Sequence, residues 1–104
     1  MNLEQLENLS QTIAENIPGG FASPVKTFQD GEYKFEIAVS AFINDHFPVI
    51  IAKLSDTNIK ITSSVLTDDG ESRSLYFNSP LPNTNTEDYI LNLYIQVSNF
   101  YKNI

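Results

Sequence analysis

The apolar residues at the head of the chain recur every three or four positions, and from Val25 onward they recur every second position. That change of period divides the sequence into a helix followed by strands. Leu3, Leu6, Leu9, Ile13 and Ile17 fall on one stripe at about 100° per residue, with Glu4, Glu7, Asn8, Gln11 and Glu15 on the other side. Asn2 and Gln5 make an N-terminal capping pair, and Glu4 suits the positive end of the helix dipole. Pro18 cannot continue a helix and Gly19-Gly20 follows it, so the spacing predicts a helix over residues 3–17.

The alternating part is cut by short polar turns. Asp30-Gly31 separates a run from Val25 to Phe28 from a longer one in which Tyr33, Phe35, Ile37, Val39 and Ala41 share a face. Lys34, Glu36, Ala38, Ser40 and Phe42 take the other face. Asn44-Asp45-His46 turns the chain into Val49–Leu54 (VIIAKL), a nearly continuous apolar run expected at the centre of a sheet. Ser55-Asp56-Thr57-Asn58 and Thr67-Asp68-Asp69-Gly70 bracket a strand with Ile59, Ile61, Ser63 and Val65 on one face. A last strand puts Leu75 and Phe77 opposite Tyr76. Connections this short force antiparallel neighbours, hence a five-strand meander.

The C-terminal segment fits two periods. Leu91, Leu93, Ile95 and Val97 alternate as in a strand, whereas Ile90, Leu93, Val97, Tyr101 and Ile104 keep a helical step. Thr84 and Glu87 have the spacing of a capping box, and the segment is too long for an ordinary strand. A helix over residues 87–103 is expected. The fold class is α+β: one domain over residues 1–104, with an N-terminal helix, the meander, and a C-terminal helix, both helices on one sheet face.

Charge narrows the function. Thirteen acids against six bases give −7 in 104 residues, which argues against direct nucleic-acid binding. Residues 1–20 carry −3, residues 21–66 only −1, and residues 67–104 again −3. There is no cysteine, hence no disulfide framework or thiolate chemistry. No run is apolar enough to span a membrane and Met1 is followed by no basic leader, so a cytoplasmic location is expected.

Equipment for catalysis is sparse. His46 is the one histidine, and it reads as an exposed turn residue, with no Gly-x-Ser-x-Gly elbow to supply a nucleophile. Asp68, Asp69 and Glu71 surround Gly70 without the alternating ligand spacing of a calcium loop, and read as a charged hairpin tip. Gly19-Gly20 follows a helix instead of preceding one, so it is no phosphate cradle. No cofactor or metal is expected.

Contact surfaces fit the sequence better. Leu91 and Ile95 fall off the main stripe of the terminal helix, one turn apart, with Tyr94 at the stripe's edge. Ala38, Phe42, Leu66 and Tyr76 share the sheet face opposite the expected core.

The leading helix, the alternating strands, and the run Leu75-Tyr76-Phe77-Asn78-Ser79-Pro80-Leu81-Pro82 feeding an apolar terminal helix resemble the small acidic type III secretion chaperones and the related YbjN-like domains. The resemblance covers nearly the whole chain in outline, with no specific motif. It implies a dimeric, non-enzymatic domain, and for the chaperones apolar patches that wrap unfolded stretches of a partner. It departs from the pattern at residues 42–58, which leave no room for the helix those folds carry in mid-sheet.

Three functions follow as expectations. The first is a non-enzymatic protein-binding module, chaperone- or adaptor-like, anchored by Phe42, Tyr76, Leu91, Tyr94 and Ile95 and steered by an acidic rim toward a partner with a basic or apolar surface, or toward a second copy. The second is an acidic inhibitor of the phage anti-defence or toxin-immunity kind. It would use Glu4, Glu7, Glu15, Asp68, Asp69 and Glu71 to block a basic nucleic-acid-binding surface on a partner protein. The third is a small enzyme built around His46.

Overall fold

The computed structural model describes residues 1–66 and 70–103; Asp68, Asp69, Ile104 and the side chain of Leu66 lie outside the described residues. Helix α1 spans Leu3–Glu15 and opens with the expected capping pair: the Gln5 N–H donates to Asn2 Oδ1 and the Asn2 N–H to Gln5 Oε1, both at 2.9 Å. It stops two residues earlier than the apolar stripe, because a residue before proline is pushed out of the helical region. Ile17 is nonetheless buried, carried into the core by the turn itself.

Among the described residues six strands form one antiparallel sheet: β1 Phe21–Ala22, β2 Lys26–Asp30, β3 Tyr33–Ser40, β4 Val49–Leu54, β5 Asn58–Leu66 and β6 Ser72–Pro80. Strands β2 to β6 are the expected meander, with β4 between β3 and β5. The two-residue β1 is an addition: it pairs with Val39 and Ser40 at the end of β3 that β2 leaves open. No helix interrupts residues 42–58.

Helix α2 spans Thr86–Lys102, as the helical period required. Its start differs from expectation. The cap is Asn85, left-handed at φ 54° and without a side-chain capping bond, and the Thr86 hydroxyl donates instead to the Pro82 carbonyl. The helix begins two residues beyond Thr84, so the Thr84–Glu87 spacing does not form a capping box. Glu87 and Asp88 still occupy the first turn, where the dipole favours them.

Both helices cover one sheet face. The inward rows Ile37 and Val39, Ile50, Ala52 and Leu54, and Ile59 and Ile61 are buried against Leu6, Leu9, Ile13, Ile90 and Leu93. Polar groups inside this core are satisfied. Ser10 and Ser98 donate to the carbonyls of Glu7 and Ile95 three residues back. Tyr94 donates to the Ile37 carbonyl at 2.6 Å, and Tyr101 to Ser63 Oγ at 2.7 Å, which in turn donates to the Val49 carbonyl at 2.8 Å.

Candidate functional site

Strand register makes the uncovered sheet face into rows. Phe21, Ser40, Val49, Ser64 and Ser74 stand opposite one another across five strands. The next row is Ala38, Ile51, Thr62 and Tyr76, and the next Lys26, Glu36, Lys53, Lys60 and Asn78. The first two rows carry no charge. They hold a shallow trough of about 450 Å³ between Val49, Ile51, Thr62, Ser64, Ser74 and Tyr76. The third row concentrates lysines, and these are engaged within the molecule. Lys26 pairs with Glu36 at 3.8 Å, Lys53 with Asp30 at 3.7 Å, and Lys60 lies 4.8 Å from the centre of the Tyr33 ring. Beyond them Lys34 meets Asp56 at 2.8 Å, which holds the Asp56 carboxyl below its ordinary value.

At the opposite end of the face the aromatic residues gather. Phe47 is 73% exposed, Phe21 69% and Phe42 46%. The Phe42 and Phe47 rings stack with centroids 4.7 Å apart. Local structure explains why they face water. The Phe42 N–H is tied to the Pro18 carbonyl at 2.9 Å, and its backbone passes so close to Gly19 that a Cβ there would lie 2.6 Å from the Phe42 Cβ. Ile43 and His46 exchange both backbone hydrogen bonds at 2.9 Å, closing a loop whose tip residues Asn44 and Asp45 are left-handed. Ile43 is drawn into the core, while Phe42 and Phe47 on either side of the loop are left outside. The Asn44 side chain donates to the carbonyls of Lys102 at 2.7 Å and Tyr101 at 3.3 Å, fastening the loop to the end of α2.

The residues singled out from the sequence divide. Phe42 and Tyr76 are exposed on the uncovered side, as expected. Tyr94 is a correction: it is fully buried, and its hydroxyl is engaged with Ile37, so it is a core residue and not a contact anchor. Its ring extends through the helix layer to the sheet backbone, a reach that helical periodicity cannot reveal. Leu91 and Ile95 are also corrected, from open anchors to half-buried residues packed on the core. Glu7 is half-buried and accepts a hydrogen bond from the Val25 N–H at 3.2 Å, joining α1 to the chain entering β2. Glu4 and Glu15 are exposed but eleven positions apart, about 16 Å along α1. Glu71 pairs with Arg73 at 2.8 Å. The described acids therefore do not form one surface. Asp68 and Asp69 lie outside the described residues.

Sequence reading passed over Phe21, Phe47 and Val49. Each sits at the boundary of a periodic segment, where alternation gives no sense of direction. The available signal was the placing of Phe21 after Gly19-Gly20 and of Phe47 inside a polar turn. His46 is half-buried, with its backbone closing the loop. Among the described residues no three His, Asp or Glu side chains are grouped to hold a metal ion, and no helix is long and apolar enough to cross a membrane. No protein-family model, curated protein or solved structure matches the chain.

Proposed function

We propose that this chain is a non-enzymatic protein-binding module, adaptor- or chaperone-like, which seats an apolar segment of a partner protein on the aromatic end of its uncovered sheet face. The observation that carries this reading is the exposure of Phe21, Phe42 and Phe47 together at one end of a fixed scaffold, continuous through Val49 with the uncharged trough that ends at Tyr76. Large aromatic side chains left in water on a rigid surface are the residues that anchor protein interfaces. Glu15, at the end of α1 that leads to Pro18, and Asp45, in the loop between Phe42 and Phe47, are exposed, and they favour a partner whose apolar segment is flanked by basic residues.

The acidic-inhibitor reading is the weaker one. It needs its carboxylates on one surface, and Glu4, Glu7, Glu15 and Glu71 are spread or engaged. Salt separates the two. Capture from the native host with the immobilised chain, at low and at moderate salt, is expected to retain the same protein in both. Retention lost at moderate salt favours the charge mimic. Retention that survives the double substitution Phe21→Ser and Phe47→Ser contradicts the module reading.

A further inference from the structure

Among the described residues strand β6 is the last in the sheet order and pairs with β5 alone. Its residues Ser72–Pro80 run in unbroken register with Leu66–Asn58. One hydrogen bond fixes the phase of this ladder: the Leu81 N–H donates to the Thr57 carbonyl, one step beyond the Pro80–Asn58 pair. Leu81 and Thr57 thus form a hydrogen-bonded pair, so the odd-numbered residues of β6 turn their N–H and C=O groups toward β5. The even-numbered Ser72, Ser74, Tyr76 and Asn78 turn theirs away from the sheet. Pro80, also even-numbered, has no N–H to present, and proline in a sheet belongs at such an outward position. Exposed edges of this length are ordinarily blunted by charges or bulges; β6 has Arg73 as its one charged residue and no bulge.

The flank of the edge is apolar and neutral. Leu75 and Phe77 reach past α2 and, with Ile61, Leu93, Gln96 and Val97, line a groove of about 210 Å³. Between Asp88 and Lys102, α2 contains no charged residue. Strand β6 itself and residues 89–101 of α2 contain no acid, in a chain of net charge −7.

We propose that β6 pairs antiparallel with β6 of a second copy of this chain, about a two-fold axis through Tyr76. Tyr76 is the midpoint of Ser72–Pro80, so this register overlaps the two strands over their full length. The Tyr76 N–H of each copy donates to the Tyr76 carbonyl of the other. Ser74 and Asn78 exchange hydrogen bonds across the seam in the same way, and the Ser72 N–H meets the Pro80 carbonyl. On the helix face Leu75 of each copy stands opposite Phe77 of the other, closing both grooves with apolar side chains. On the uncovered face the two Tyr76 rings form a cross-strand aromatic pair. Arg73 falls opposite Ser79, so no like charges confront each other. The contact is isologous and closes on itself, leaving neither β6 edge open. Its seam is distinct from the aromatic end, because Phe21 lies on β1 at the other edge of the sheet order and Phe42 and Phe47 lie in the β3–β4 connection; Tyr76, where the trough ends, is common to both.

The chain has no cysteine, so single introduced cysteines report this register. Facing residues of a hydrogen-bonded pair have Cα atoms about 5.5 Å apart, within disulfide reach, whereas the two Ser74 residues lie roughly 14 Å apart along the strands. Sedimentation equilibrium of the full chain is expected to give twice the 11.7 kDa of one copy. Mild oxidation is expected to cross-link Tyr76→Cys at least about tenfold faster than Ser74→Cys. Ser74→Pro removes an outward N–H and no bond to β5, and is expected to halve the mass with an unchanged circular dichroism spectrum. A single-copy mass up to millimolar concentration, or equal cross-linking at positions 74 and 76, overturns the proposal. So does a folded Ser74→Pro variant that keeps the double mass, or a monomer whose edge takes up an added extended peptide.

Discussion

The rings of Phe42 and Phe47 stack 4.7 Å apart while both remain in water, 46% and 73% exposed. The loop between them is fixed by the Ile43–His46 bridge and by Asn44 on the end of α2, and its entrance by the Phe42 N–H on Pro18. An apolar surface held this firmly loses little conformational freedom when a partner covers it, which leaves more of the burial energy for binding.

Such a surface should be nearly silent in folding. Phe47→Ala is expected to lower stability by less than about 1 kcal/mol, while Ile61→Ala in the core is expected to cost about 2–5 kcal/mol. Urea denaturation of both variants checks this. A large loss for Phe47→Ala would mean that the ring supports the fold and is not held in reserve for a partner.

Tyr94 joins α2 to β3 through a hydroxyl that burial pushes well above the ordinary tyrosine value. A phenol kept neutral in the fold but free to ionise when unfolded stabilises the fold fully below the unfolded value near 10, and that contribution is lost as pH rises past it. Tyr101, raised mainly by burial and partly offset by its bond with Ser63, acts in the same direction. Tyr94→Phe is expected to cost about 1–3 kcal/mol at neutral pH and to flatten the decline in stability above about pH 10. Chemical denaturation at neutral and alkaline pH measures both; an equally steep alkaline decline in the variant would contradict it.

Gly20 is a packing requirement. A Cβ at this position would lie 2.0 Å from the Ala14 carbonyl oxygen, a backbone atom that cannot swing aside. Gly20→Ala is therefore expected to destabilise by more than about 1 kcal/mol. The displaced turn should also shift the Phe42 ring, visible as a change in its aromatic NMR resonances.

Asn44 donates to the last carbonyls of α2. Asn44→Asp replaces the donor by a negative oxygen facing carbonyls and the negative end of the helix dipole, and is expected to cost about 1–2 kcal/mol. The loss should shrink as pH falls and the new carboxyl is protonated. Thermal melting at neutral and acidic pH tests the sign.

Much of the architecture was legible because period and punctuation carry it. The Asn2–Gln5 cap, the Pro18 stop and the meander each follow from local rules that tertiary contacts left intact. The start of α2 did not, because a left-handed Asn85 occupies the capping position and the Thr84–Glu87 spacing goes unused. The site was half legible. Alternation placed Tyr76 on the uncovered face, but whether an aromatic residue beside a turn faces core or water depends on loop closure, as Ile43 and Phe47 demonstrate in opposite senses. Tyr94 escaped because burial of its hydroxyl requires a sheet carbonyl at one distance, which pattern does not encode.

The central claim is binding through the aromatic end, and titration calorimetry of the captured partner against the wild-type chain and Phe47→Ser tests it most directly. Phe47→Ser is expected to weaken the partner's affinity by at least about thirtyfold, roughly 2 kcal/mol, with the melting temperature of the free chain unchanged. An unchanged affinity, or a substrate turned over by the purified chain and spared when His46→Ala is introduced, would contradict the account.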